Sequence, residues 1–314
     1  MALAFTIYHF LPMTHVRGAV PMLERLLRDG HRPILDLEDS VSCIFDPVRN
    51  EDLKHKARLG LLRLAEVLKD RPQLHDRLLV RINQRDSPHH ALDLDVMTKC
   101  HDIGFAPGIL LSKTHRARDL LDCKNDLFLR TGKVATVVPI IESVEGLHSL
   151  ETIVTAMPPE DRVAVFGYFD YALEAGHWPM MKQTEAAYWQ LFGSARSRAE
   201  RHDCALINSP HASWQKEDEL SRIKSYLLAT GRLPTGMCSV GSHQTSVLMR
   251  DVEPNASSPD MQSPLPECPQ VRASWVVAQF EAARCHQRSF AVADQYFVTP
   301  HEYQLAKRYL QQQG

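Results

Sequence analysis

Short apolar runs rich in β-branched and aromatic residues recur along the chain, separated by longer stretches whose apolar positions return every three or four residues. Eight runs predict strands: Phe5 to Leu11, Ile34 to Leu37, Leu78 to Asn83, Gly108 to Leu111, Val134 to Ile141, Arg162 to Gly167, Ala205 to Asn208 and Met237 to Val240. The stretches between them predict helices over Val16 to Arg28, Pro47 to Lys69, Ala117 to Leu129, Leu147 to Ala156, Thr184 to Arg201 and Glu217 to Ala229. Asp46 before Pro47 is an N-cap with proline at the first helical position, and Gly30, Gly132 and Gly231 fall where helices would stop.

A repeated strand-then-helix pattern demands parallel strands joined by right-handed crossovers, in either a closed barrel or an open doubly wound sheet. Eight units without a Gly-x-Gly-x-x-Gly turn favour the (β/α)8 TIM barrel, an α/β fold. Residues 1–252 carry this pattern. Residues 253–270 are rich in proline and serine and read as a loop, and residues 271–314 resume a helical pattern. Trp275 to Cys285 is expected to close the barrel as its eighth helix, with His301 to Leu310, opened by Thr299-Pro300, as a small C-terminal appendage.

The chain has 314 residues, 44% of them hydrophobic, enough to build a sizeable core. With 36 basic and 38 acidic residues the formal charge is -2, so no basic excess points to nucleic acid or an anionic membrane surface. Trp178, Trp189, Trp214 and Trp275 are too dispersed to make a stacking platform for bases. No apolar run is long enough to span a bilayer, and Met1 to Phe10 lacks the features of a secretory signal, so a cytoplasmic protein is expected. The seven cysteines, at 43, 100, 123, 204, 238, 268 and 285, include no Cys-x-x-Cys pair and read as buried thiols. His89-His90 with Asp93 and Asp95 reads as a solvated loop after Ser87-Pro88 and not as a second metal site.

In a barrel of this kind chemistry gathers at the C-terminal ends of the strands. The second run ends in Asp36-Leu37-Glu38-Asp39, the third in Arg81-Ile82-Asn83, the fourth in Ser112-Lys113-Thr114-His115, the fifth in Glu142-Ser143 and the sixth in Gly167-Tyr168-Phe169-Asp170. Glu142 and Asp170 lie one βα unit apart and would face the same mouth. Two carboxylates with open positions suit Mg²⁺ when substrate oxygens complete its shell. Taken singly, each acid could instead cap the helix that follows. Arg81 would present a guanidinium where the third strand opens, suited to a bidentate grip on a substrate carboxylate, or to an ion pair with Glu38 or Asp39 on the adjacent strand.

Four blocks, Ile34-Leu35-Asp36-Leu37-Glu38-Asp39-Ser40-Val41, Val80-Arg81-Ile82-Asn83, Ile140-Ile141-Glu142-Ser143-Val144-Glu145-Gly146 and Phe166-Gly167-Tyr168-Phe169-Asp170, resemble the citrate lyase β-subunit-like branch of the HpcH/HpaI aldolase and citrate lyase superfamily. Lys56-Ala57-Arg58, Lys113 and Gly176 add to the resemblance, which runs from about residue 9 to about residue 200. It implies a (β/α)8 barrel, trimeric or otherwise homo-oligomeric, that makes or breaks a carbon–carbon bond beside a carboxylate. It also implies Mg²⁺, with Mn²⁺ as a substitute, held by Glu142 and Asp170. Arg81 would bind the substrate carboxylate, and Glu38 and Asp39 would be the acidic pair that orients water beside the metal. A divalent ion chelated by a 2-oxo carboxylate would polarise the carbonyl and stabilise the enolate.

The chain departs from the family pattern where CoA is handled. Phe10-Leu11-Pro12-Met13 lacks the usual Pro-Gly, Gly236-Met237 lacks the usual lysine, and Val298 stands where an aspartate precedes the last helix. Arg17, Arg32 and Asp294 are the nearby substitutes. These losses favour a small 2-oxo or 2-hydroxy acid as substrate. An acyl-CoA lyase, or a barrel subunit of a larger complex with little turnover, is the alternative.

Overall fold

Strands and helices alternate throughout the computed structural model, which describes residues 5–14, 19–41, 46–212, 216–259, 266–284, 291–293 and 296–313. The order is β1 (Phe5–Pro12), α1 (Ala19–Arg28), β2 (Arg32–Asp36), α2 (Pro47–Leu68), β3 (Leu79–Ile82), α3 (His89–Asp102), β4 (Gly108–Leu111), α4 (Ala117–Thr131), β5 (Val137–Ile141), α5 (Val144–His148), α6 (Leu150–Thr155), β6 (Val163–Phe166), α7 (Tyr168–Ala175), α8 (Ala186–Glu200) and β7 (Ala205–Ile207). It ends with α9 (Glu217–Thr230), β8 (Thr235–Ser239), α10 (Ser242–Leu248), α11 (Pro269–Arg284), β9 (Ala291–Ala293), β10 (Tyr296–Val298) and α12 (Pro300–Gln313).

Strands β1 to β8 pair in parallel in the order β7-β6-β5-β4-β3-β2-β1-β8. Asn208 joins the two ends by bridging to Met237: its N–H donates to Gly236 O (3.0 Å) and its carbonyl accepts from Cys238 N (2.8 Å). The fold is therefore a (β/α)8 barrel. Because its strands are covered on both faces, they read as nearly continuous apolar runs. Alternate residues such as Tyr8, Ile34, Leu79, Leu110, Val138 and Val165 fill the barrel, while Leu35, Val80, Ile109 and Val137 face the helices.

Several helix ends follow local chemistry. Asp46 caps α2 by accepting from Arg49 N at 3.0 Å, and Gly132 ends α4 in the left-handed region with φ 67°. Other expectations need correction. His89 to Asp95 is no loop but opens α3, where His90 and Asp93 are buried because Asp93 accepts from Arg58 Nε (2.8 Å) and from Asn83 N (2.9 Å). The single helix expected over Leu147 to Ala156 is two short ones, α5 and α6.

Nor does α11 close the barrel. The helix that follows β8 directly is α10, and α11 packs with α12 and the β9–β10 hairpin around Ala273, Val276, Phe280, Tyr296 and Tyr303. A buried polar contact supports this second core: Arg272 Nη2 lies 3.4 Å from Glu302 Oε1, and the Tyr296 hydroxyl donates to Glu302 Oε2 at 2.9 Å. Cys100, Cys123, Cys204 and Cys238 are buried free thiols, whereas Cys268 is exposed. Cys43, Cys285, Arg17, Trp214 and Asp294 lie outside the described residues. Among the described residues no helix is long and apolar enough to cross a membrane.

Candidate active site

The alternation that fills the barrel also aims its last residues. Ile34 points inward, so Asp36 does; Leu79 sets Arg81, Val138 and Ile140 set Glu142, and Val165 sets Gly167. These ends open on a cleft of about 700 Å³ at the C-terminal mouth, lined also by Asp39, Lys113, Asp170 and His301.

Arg81 is the hub of the first half. Its Nε–H and Nη2–H donate to Asp36 Oδ1 (2.7 Å) and Oδ2 (2.5 Å), while Nη1 reaches Asp39 Oδ2 and Glu38 Oε2, both at 3.1 Å. The guanidinium lies over Phe10, 4.6 Å from the ring centroid. Asp36 is held in turn by Glu38 N (2.9 Å), Ser40 N (3.1 Å) and the Ser40 hydroxyl. The bidentate fork that sequence assigns to substrate is thus occupied by Asp36, and the edge left toward the cleft carries Nη1. Lys54 fixes the turn behind, donating to Leu37 O (3.2 Å), Glu38 O (2.8 Å) and Asn83 Oδ1 (2.9 Å).

Lys113 organises the second half. Its backbone sits at φ 47°, a strained angle for a residue with a Cβ, and this turns its N–H onto Glu142 Oε1 at 2.6 Å. Its Nζ reaches Asp170 Oδ1 at 3.1 Å, so one residue ties together two acids from neighbouring βα units. From the other side His301 Nε2, at the start of α12, approaches Asp170 Oδ2 at 3.2 Å while its ring stacks on Phe169. Gly167 makes the room: a Cβ there would lie 2.5 Å from Glu142 Cβ and 2.6 Å from its Oε2.

The charges are unevenly balanced. Burial, then Asp39, pushes the Glu38 carboxyl well above the usual carboxylate range, and burial, then Asp170 and Asp39, does the same to Glu142. Asp36 and Asp39 go the other way: burial raises both, but Arg81 together with hydrogen bonds from Ser40 and Glu38 N to Asp36, and with Glu38, His301 and Lys113 around Asp39, brings each below its ordinary value. For His301, burial opposes the charged ring but Asp170 and Asp39 prevail and raise its pKa.

The donor set fits a hard divalent cation. Acids outnumber permanent cations in one buried cluster, and Glu142 and Asp170 both line the cleft, each with one oxygen engaged by Lys113. Among the described residues no group of three His, Cys, Asp or Glu side chains is placed to hold a metal by itself. Two carboxylates with the remaining positions left to water and substrate match Mg²⁺, which keeps much of its water. Glu142 and Asp170 would be the ligands.

Sequence reading named Arg81, Glu38, Asp39, Glu142 and Asp170, and the structure brings all five to one mouth. Asp170 lies in the first turn of α7 and not at the strand end proper. Sequence reading gave no role to Asp36, Lys113, Gly167 or His301. The first three stand within or beside the quoted blocks, whereas nothing local marks His301.

No family model and no curated protein matches the chain. Solved structures do. RipC from Yersinia pestis is 22% identical, with a TM-score of 0.55 over 80% of this chain and 98% of that one. CitE from Mycobacterium tuberculosis, in complex with magnesium and acetate, is 18% identical with a TM-score of 0.58 over 78% of this chain and 90% of that one. The same protein in complex with magnesium, acetoacetate and coenzyme A is 17% identical with a TM-score of 0.57 over 99% and 98%. At this identity the likeness establishes the fold.

Proposed function

We propose that this barrel is a Mg²⁺-dependent carbon–carbon lyase or aldolase acting on a small 2-oxo or 2-hydroxy carboxylic acid. The observation that carries the reading is the Glu142–Lys113–Asp170 clamp, which presents two acids, one after β5 and one in the first turn of α7, at the mouth of a cleft. Support also comes from structures of similar fold, which were solved with magnesium and acetate, pyruvate or oxaloacetate.

Bound between Glu142 and Asp170, the metal ion would supply a Lewis acid that polarises the substrate carbonyl and steadies the negative charge left as the bond breaks. The chain's own residues prepare that step. Lys113 and His301 hold Asp170 from two sides, and the Lys113 N–H fixes the rotamer of Glu142. Arg81, anchored by Asp36, offers Nη1 to the substrate carboxylate in competition with Asp39. Asp39 favours its charged form beside Arg81, whereas burial and the neighbouring Asp39 push the Glu38 carboxyl well above the usual carboxylate range. The apolar barrel wall beneath, with Ile140, Val165 and Phe166, keeps water from the floor. A homo-oligomer remains part of the proposal, as the resemblance implies.

Enolate formation is read directly by deuterium exchange. In heavy water with Mg²⁺, the protein should exchange the C3 protons of pyruvate or cleave one member of a panel of 2-oxo and 2-hydroxy acids, and chelation should stop it. No exchange and no cleavage across the panel, with a stable protein partner recovered instead, would favour the subunit reading.

A further inference from the structure

The cleft is far larger than a three- or four-carbon acid needs, and its charged groups occupy only part of it. Its volume of about 700 Å³ lies within the range of sites that enclose drug-sized ligands. Asp39, Arg81, Lys113, Glu142, Asp170 and His301 gather on one side. The rest is largely apolar: Phe10 and Val240 from the ends of β1 and β8, Phe169 and Leu173 from α7, and Phe297 and Pro300 from the C-terminal unit.

Among the described residues this apolar side is partly open to the cleft and its backbone is anchored. Val240 is 40% exposed, and Phe169, Leu173 and Phe297 are half-buried. Phe297 is fixed by its N–H donating to Ala212 O at 2.9 Å, and α7 is tied to α12 by Arg308 Nη1 donating to Leu173 O at 3.3 Å.

Among the described lining residues the cations are already paired. Arg81 and Lys113 lie against carboxylates, and His211 Nε2 lies 2.8 Å from Glu219. A polyphosphate would have to displace a carboxylate from each described cation, whereas a hydrocarbon would meet apolar side chains in the same cleft as the site for its carboxylate.

We infer that the acid bound at this site carries an apolar chain or ring, which lies along Val240, Phe169, Leu173 and Phe297 while its 2-oxo carboxylate faces Glu142, Asp170 and Arg81. The inference rests on the lyase reading and narrows its substrate class. The apolar side shares one cleft with the acids, so a single molecule of the right length covers both.

Titration calorimetry with Mg²⁺ and the series pyruvate, 2-oxobutanoate, 2-oxopentanoate, 2-oxohexanoate and phenylpyruvate tests it. Affinity should rise about fourfold per added methylene, the equivalent of roughly 0.8 kcal/mol for a buried CH₂. The rise should flatten in Val240→Ser, at an exposed position, and in Leu173→Asn. A flat or falling series with pyruvate still bound in a Mg²⁺-dependent way would remove the apolar subsite and leave the lyase reading intact. Acetyl-CoA binding more tightly than 2-oxohexanoate would likewise overturn the inference. Absence of Mg²⁺-dependent binding for every acid would remove the lyase reading and the inference together.

Discussion

Gly167 shows how much of the site rests on a missing side chain. It follows the inward-facing Val165, so by strand alternation its own side chain would enter the barrel mouth, where the Glu142 carboxylate already sits. Gly167→Ala should displace Glu142 and cost about 1–3 kcal/mol in stability as an overpacked site. The expected result is a lower melting temperature together with a loss of Mg²⁺ affinity of tenfold or more, read by calorimetry on the folded variant. Unchanged metal binding would show that Glu142 does not need its present position. Arg81 is a different case, since sequence marks it plainly and names Glu38 and Asp39 as partners but not Asp36. The alternation that turns Arg81 inward turns Asp36 inward too, and their buried pairing is what determines which edge of the guanidinium a substrate meets.

At the scale of elements, the strands were legible because a barrel strand buried on both faces leaves an apolar run in the sequence. Helices with buried polar residues were not. In α3 the buried His90, Asp93 and His101 interrupt the apolar face, and their burial is supported by partners far along the chain, such as Arg58 for Asp93. The eight-residue α7 is too short for periodicity to declare it, so Asp170 read as a strand end.

A polar junction of β1, β8 and α10 yields a test of how these elements hold together. His9 Nδ1 lies 2.9 Å from the Ser239 hydroxyl and 2.8 Å from that of Thr245, and burial lowers the His9 pKa from 6.5 to about 4. The unfolded chain therefore binds a proton more readily than the folded one between these values. Stability falls as pH drops through that window, by about 3 kcal/mol at most, and no further once both forms are protonated. Denaturant midpoints for the protein and for His9→Gln should converge in slope above pH 6.5 and diverge below it, with the histidine form falling more steeply. Parallel curves down to pH 4 would show that His9 is not buried as a neutral ring.

For the whole molecule, the barrel class followed from counting βα units, and the mouth from knowing which strand ends carry polar residues. The C-terminal unit did not follow. Helical periodicity predicted α11 and α12, but period alone cannot say which surface a helix covers, and the expected closing helix instead builds a second core with α12 and the hairpin. That arrangement carries His301 back to Asp170 from far along the chain, a contact that no local pattern encodes. Met13, Met237 and Val298, the positions at which the chain departs from the pattern it resembles, are all fully buried and packed into cores.

The central claim is that Glu142 and Asp170 form a metal site. Calorimetry with Mg²⁺ and with Mn²⁺, in the presence of pyruvate or oxaloacetate, measures it directly. The account predicts saturable binding by the unaltered protein and none in Glu142→Ala or Asp170→Ala, with both variants shown to be folded. Equal binding by all three proteins would contradict it.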